Sequence, residues 1–183
     1  DGNAVAVTTT LNTNFGSKIF VDDLGFLLNN EMDDFSSKPG HPNIYGLIGS
    51  EANSIAPEKR MLSSMTPTII EKNDNLFLVV GSPGGSTIIT SVFQTIMNVV
   101  FFNMDIQSAV NAPRFHHQWL PDNLFLEKEF FSKNIIDSLK LLGHDIKERN
   151  SMGHVNAIHI ATEITGGADK RGDNSEATFF QKH

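Results

Sequence analysis

The chain has 183 residues, 39% of them hydrophobic and 19% charged, within the ordinary range of a soluble globular protein, long enough for one sizeable core and too short to expect two. A net charge of -7 argues against a nucleic-acid footprint, since binding to phosphates needs clustered Lys and Arg. With no cysteine there is no disulfide framework or thiolate metal site, and the longest apolar stretch, around 88–102, is too interrupted by Thr90, Ser91, Gln94, Thr95 and Asn98 to span a membrane.

Taken in order, Asp1-Gly2-Asn3 is a turn with neither initiator Met nor signal peptide before it, so the chain reads as a piece of something longer. Ala4 to Asn12 alternates as a strand, with Val5, Val7, Thr9 and Leu11 on one face and Ala6, Thr8, Thr10 and Asn12 on the other. The second face turns polar at its far end, where a half-buried strand would line a pocket. Gly25 to Leu28 is apolar and leads into Asn29 to Phe35. The Gly- and Pro-rich stretch 36–60 is a long loop of the kind that carries function. Pro67–Ile70 and Leu76–Val80 flank a polar turn and predict a hairpin. Beyond it, apolar residues from Ile88 to Val100 recur every three or four positions, predicting a buried helix. Asp105 or a neighbour caps a short helix that stops before Pro113. Ser132 caps another, carrying Ile135, Ile136, Leu139 and Leu142 and ended by Gly143. His144–Arg149 and Val155–Ala161 predict strands, and from about 165 to 183 the composition suggests a loose tail. The whole reads as one α+β domain, an αββα layering, and not an alternating parallel fold.

Three constellations carry chemistry. Gly81-Ser82-Pro83-Gly84-Gly85 joins a strand to a helix but lacks the Lys of a phosphate-binding loop. It is either a plain tight connection or an oxyanion hole, in which glycines let adjacent N–H groups approach an acyl oxygen. Glu31-Met32-Asp33-Asp34 is either a solvated turn or a seat for an ammonium; the spaced loop that Ca²⁺ needs is absent. Ser63-Ser64 could cap a helix or donate two hydroxyl hydrogen bonds to a carboxylate. His116-His117 does not make a metal site, because neighbours point apart and nothing nearby completes a ligand set. Together these suggest a ligand with cationic and anionic ends and an acyl group, as in a free α-amino acid moiety.

LNTNFG, LLNNEMDDFS, KPG-x-PN-x-YGL, LSSM-x-PTI, GSPGGS-x-II and NAPRFHHQWLPD resemble, in order from Asp1 to about Ile160, the small subunit of γ-glutamyltransferases (glutathione hydrolases). The resemblance implies the N-terminal-nucleophile hydrolase fold, an αββα sandwich made by autocleavage of a precursor and completed by the large subunit. The nucleophilic Thr would lie upstream of Asp1. Position by position, the resemblance assigns Thr10 to activating that nucleophile, and Asn12, Glu31 and Asp34 to the α-amino group of the γ-glutamyl moiety. It assigns Ser63 and Ser64 to the α-carboxylate, Gly84 and Gly85 to the oxyanion hole, and Tyr45 to a lid.

Departures from the family pattern are Thr87 where Arg is common, Met61 where Pro is common, Thr9 where an aromatic often sits, and Ala168-Asp169-Lys170-Arg171-Gly172 in place of D-P-R-G. The implied chemistry is attack on the γ-glutamyl carbonyl, then transfer of the acyl group to water or to an amino-acid or dipeptide acceptor. A terminal amine serves as base, and no cofactor or metal is expected. The implied partners are the large subunit, glutathione and related γ-glutamyl compounds, and the implied location is periplasmic or secreted, in a bacterium. Two other readings are a related acylase with a different acyl substrate and a non-catalytic binding homologue.

Overall fold

The computed structural model describes residues 2–172. They form two compact units, a smaller one of Thr9–Ser64 with Trp119–Pro121, and a larger one from the N-terminal residues up to Thr8, Met65–Gln118 and Asp122 onward.

In the smaller unit, β1 (Phe20–Val21) and β2 (Phe26–Leu27) pair antiparallel. Gly16, at φ +54°, passes so close to the Leu28 carbonyl that a Cβ there would collide with backbone. Two 3-10 turns follow, Glu31–Asp34 and Glu51–Asn53. A parallel bridge joins Ser36 to Ser54 and an antiparallel one joins Pro42 to Ile48, so the stretch 36–60 is folded back on itself; Phe35, just before it, is buried.

In chain order the larger unit carries β3 (Thr68–Lys72), β4 (Asn75–Gly81), α1 (Thr87–Val100), α2 (Ile106–Asn111), β5 (Phe115–His117), β6 (Leu124–Glu127), α3 (Lys133–Leu141), β7 (Ile146–Arg149), β8 (Asn156–Ile160) and β9 (Ile164–Ala168). The predicted hairpin is β3–β4, and both turn residues, Asn73 and Asp74, adopt positive φ, which suits the twist of a tight hairpin. One sheet runs β3-β4-β8-β9, all antiparallel; the other runs β5-β6-β7, with α3 crossing over between the parallel pair β6 and β7. Leu78 and Val80 of β4, with Val155 and Ala157, bury one face of the first sheet against Ile88, Val92 and Val99 of α1 and Ile106, Ala109 and Val110 of α2. Asp105 accepts from Ser108 N at 2.9 Å and Ser132 from Ile135 N at 3.4 Å, capping α2 and α3 as expected.

Two expectations need correction. Ala4–Asn12 is not a strand: it pairs with no other strand among the described residues, and Asn12 leaves the extended region at φ +75°. The alternation itself is present as far as Thr8, with Ala4, Ala6 and Thr8 half-buried, but the valine face is open, with Val5 76% and Val7 73% exposed. Nor does a loose tail begin near 165. Residues up to 168 belong to β9, and Gly167 is there because a Cβ would come within 2.9 Å of Ile106 O and Val110 Cγ2, blocking α2 from the sheet. Residues 173–183 of that expected tail lie outside the described residues.

Directly after β9, Asp169 and Arg171 enter a buried ion network. Asp169 bridges Arg114 (2.7 Å) and Arg171 (3.0 Å), and Arg171 also pairs with Glu127; all four side chains are nearly inaccessible to water. Main-chain groups complete the valences. Arg114 Nη1 donates to Met152 O at 2.7 Å and Nη2 to Val110 O at 2.6 Å; Glu127 accepts from Arg114 N and Met152 N; Asp169 Oδ2 accepts from Val155 N at 2.8 Å. Burial opposes ionisation of Asp169, but the N–H groups of Arg171 and Val155 and the Arg114 charge outweigh it and hold its pKa below the ordinary carboxylate value. Asp169→Ala leaves Arg114 without its countercharge and should cost roughly 3–5 kcal/mol of unfolding free energy in urea titration. A lowered carboxylate pKa gives stability that is present above the unfolded value and lost as pH falls through the folded one, so the difference between wild type and variant should shrink in strong acid.

Candidate active site

Seven of the nine residues singled out in the sequence lie in the smaller unit: Thr10, Asn12, Glu31, Asp34, Tyr45, Ser63 and Ser64. Three of them meet directly. Asn12 N donates to Thr10 Oγ1 at 2.8 Å, and Tyr45 Oη donates to Asn12 O at 2.6 Å. Asn12 Nδ2 donates to Asn30 O at 3.1 Å, which ties this strip to the residue just before the acidic turn.

Glu31 and Asp34 stand three apart in a 3-10 turn, where side chains at that spacing eclipse. Their carboxyl groups therefore share one place. Burial, then the charge and hydrogen bond of Asp34, push the Glu31 pKa up; burial and the Asp33 charge also push Asp34 up, against the hydrogen bond from Glu31. Glu31 Oε1 is buried with no hydrogen-bond partner. The Tyr45 phenol is also raised, by burial first and then by Asp34, Asp33 and Glu31, which places it within the field of all three carboxylates.

Ser63 and Ser64 lie in a stretch without regular structure, so neither caps a helix. The residue before them is held to the acidic turn through one side chain. Leu62 N donates to Asn53 Oδ1 at 2.9 Å, and Asn53 Nδ2 donates to Asp34 O at 2.7 Å. Asn30 and Asn53 were not singled out in the sequence. Their amides brace backbone in irregular segments, and no spacing rule announces that; only the abundance of Asn in this region hints at it.

Gly84 and Gly85 lie in the larger unit, between β4 and α1, at φ +137° and +57°. Gly84 O accepts from Thr87 N at 3.2 Å and Thr87 Oγ1 at 2.7 Å, so it is committed to the first turn of α1. The N–H of Gly85 is antiparallel to that carbonyl across a planar trans peptide, and so points away from the helix. By the same rule Gly84 N–H opposes Pro83 O, which accepts from Ser82 Oγ at 2.7 Å. A Cβ on Gly84 would meet Thr87 Oγ1 at 2.8 Å and Gly153 Cα at 3.0 Å. The turn is thus fixed in geometry and closed to a side chain.

The adjacent histidines part to opposite sides of β5. His116 is buried between Thr90 Oγ1 and Gln118 Oε1, each at 2.8 Å, while His117 is partly exposed beside Asp122 at 2.9 Å.

Two outcomes follow from this geometry. Gly84→Ala should lower stability by about 1–3 kcal/mol in thermal unfolding, since it adds a strained φ to a close contact. Glu31→Gln should do the opposite at neutral pH. A raised carboxyl pKa means that ionising the pair costs stability as pH rises through the folded value, so removing one charge should raise Tm near pH 7 and change little in acid.

Comparison with known proteins gives this geometry a family. A profile of the family described as gamma-glutamyltranspeptidase matches residues 1–179. The glutathione hydrolase proenzyme of Escherichia coli is 52% identical over 176 residues, which are 93% of this chain and 30% of the relative. The chain therefore spans about a third of the length of the curated relatives it matches. Among solved structures, a mutant γ-glutamyltranspeptidase of Helicobacter pylori superposes with a TM-score of 0.90 at 54% identity, covering 93% of this chain and 95% of that one. The γ-glutamyltranspeptidase of Pseudomonas nitroreducens, complexed with L-DON, gives 0.90 at 44% identity, covering 98% and 95%. The fold class is accordingly the α+β arrangement of N-terminal-nucleophile hydrolases that the sequence predicts. The chain belongs to the γ-glutamyltranspeptidase family.

Proposed function

We propose that this chain is the small subunit of an enzyme that cleaves the γ-glutamyl bond of glutathione and related compounds and passes the acyl group to water or to an amino-acid or dipeptide acceptor. One observation carries the reading. Glu31 and Asp34 are two carboxyls sharing one place, both with raised pKa values, and Glu31 Oε1 has no partner. Such a pair is left short of a cation, and an α-ammonium group supplies it. The proposed contacts are Asn12, Glu31 and Asp34 on the ammonium and Ser63 and Ser64 on the α-carboxylate. Gly84 and Gly85 N–H would receive the oxyanion that forms as the γ-carbonyl is attacked.

Thr10 is proposed to hydrogen-bond the hydroxyl of the nucleophilic Thr, which in this reading precedes Asp1. That Thr becomes the amino terminus when a precursor is cut, and its own amine takes the proton during attack. The collapse of the tetrahedral intermediate expels the donor's amine and leaves a γ-glutamyl ester, which water or an acceptor amine then resolves. The large subunit of the same precursor is the proposed partner. That matches the naming of the relatives as proenzymes and the share of their length that this chain spans. A periplasmic or secreted bacterial location fits the bacterial relatives; among the described residues, no helix is long and apolar enough to cross a membrane.

Kinetics with γ-glutamyl-p-nitroanilide on the protein co-expressed from its full precursor test this. Asp34→Ala should raise KM about 10- to 100-fold, the equivalent of roughly 1.4–2.8 kcal/mol of binding. An unchanged KM would reduce the turn to a solvated acidic patch. The acid limb of kcat/KM should lie above the ordinary carboxylate range, because the pair must ionise to take a cation and its pKa values are raised; affinity is lost as pH falls through them. Thr10→Ala should lower kcat far more than it changes KM, since its partner is the nucleophile and not the donor.

A further inference from the structure

The third carboxylate of the acidic turn faces elsewhere. Asp33 Oδ2 accepts from Ile44 N at 3.2 Å, and Asp33 O accepts from Asn43 Nδ2 at 3.4 Å. The loop it holds, 42–48, is closed by its own bonds. Asn43 Oδ1 accepts from both Tyr45 N and Leu47 N at 3.0 Å, Asn43 N donates to Leu47 O and Gly46 N to Asn43 O, each at 2.9 Å, and Pro42 bridges Ile48. Gly46 turns the chain at φ +74°. From the tip of this small hairpin, Tyr45 Oη reaches back to Asn12 O, the residue whose amide is bonded to Thr10 Oγ1. The loop is therefore pinned at two places, on the acidic turn by Asp33 and on the Thr10–Asn12 strip by Tyr45.

Resting on the function proposed above, we infer that Asp33 is a positioning residue: it touches the 42–48 loop and not the substrate, and it sets where Tyr45 stands over the Asn12, Glu31 and Asp34 contacts for the γ-glutamyl group. The three carboxylates then divide the work. Glu31 and Asp34 face each other and take the ammonium, while Asp33 Oδ2 is engaged by the Ile44 N–H of the loop. A hairpin this short transmits displacement at one pin to the other, because its internal bonds leave no slack between Asn43 and Leu47. Losing the Asp33 pin frees Tyr45 from Asn12, so the bound donor exchanges faster with solvent and KM rises. The attack on the acyl carbon is made by other groups, so kcat is spared.

The test is a double-mutant cycle in the processed protein, co-expressed from its precursor and assayed with γ-glutamyl-p-nitroanilide. Asp33→Ala should raise KM about tenfold, the scale of one lost charge-assisted hydrogen bond, with kcat within about twofold. Asp33→Asn keeps an acceptor for Ile44 N and should recover most of the loss. Tyr45→Phe removes the second pin, and Asp33→Ala combined with it should be no worse than the more damaging single change, since both open one clamp. Additive effects of the two changes, an unchanged KM in Asp33→Ala, or no recovery in Asp33→Asn would overturn the inference. Should Asp33→Ala not accumulate as processed protein, Asn43→Ala releases the same hairpin and is judged by the same KM shift and the same cycle with Tyr45→Phe. A wild type inactive on the γ-glutamyl donor would instead sink the underlying function, which separates the two failures.

Discussion

The buried Arg114–Asp169–Arg171–Glu127 network is the constraint on which the geometry of the larger unit depends. Four charges removed from water gain little net stability over an apolar core of equal volume, but removing any one strands its partners. The network therefore specifies more than it stabilises. It fixes the segment 152–155 at both ends, through Met152 N and O and Val155 N. Between those anchors Gly153 packs on Gly84, and His154 N donates to Ser82 Oγ at 2.9 Å. The glycine turn ahead of α1 is thus backed by a strip of chain that the ion network holds still.

The smaller unit solves a different problem with weaker means. It has few regular elements, and its candidate ligand groups are set by asparagine side chains bonding to backbone: Asn12 to Asn30, Asn53 to Asp34 and Leu62, Asn43 to the Tyr45 hairpin. Each such bond contributes about 1 kcal/mol net, so the arrangement is held by many small terms. Against this the Glu31–Asp34 pair is a standing cost in the free protein. A site that is less stable empty than occupied binds its cation by relieving that cost, which is the usual trade between stability and function.

What the sequence made legible was whatever is local. Three- and four-residue spacing located α1, Asn73-Asp74 marked the hairpin turn, and Ser132 and Gly143 bracketed α3. The family motifs named Glu31, Asp34, Gly84 and Gly85 because their spacing within each motif is short. What is assembled across long separations was not legible. Arg114 and Glu127 reach the locally paired Asp169 and Arg171 only through the fold. β9 hid for a chemical reason: Gly166 and Gly167 look like loop composition, yet Gly167 is small so that α2 can lie against the sheet. The opposite error at Ala4–Asn12 came from a real alternation that pairs with no strand among the described residues.

The central claim is that the paired carboxyls of Glu31 and Asp34 await an α-ammonium group, and proton release on binding tests it most directly. Calorimetric titration of L-glutamate into the assembled protein, repeated in buffers of different ionisation enthalpy, counts protons released per ligand bound. The account predicts net release at mildly acidic pH, declining toward zero as pH rises past the raised carboxyl pKa values, and absent or much reduced in Glu31→Gln. Binding of L-glutamate with no proton release at any pH, unchanged in Glu31→Gln, would contradict it.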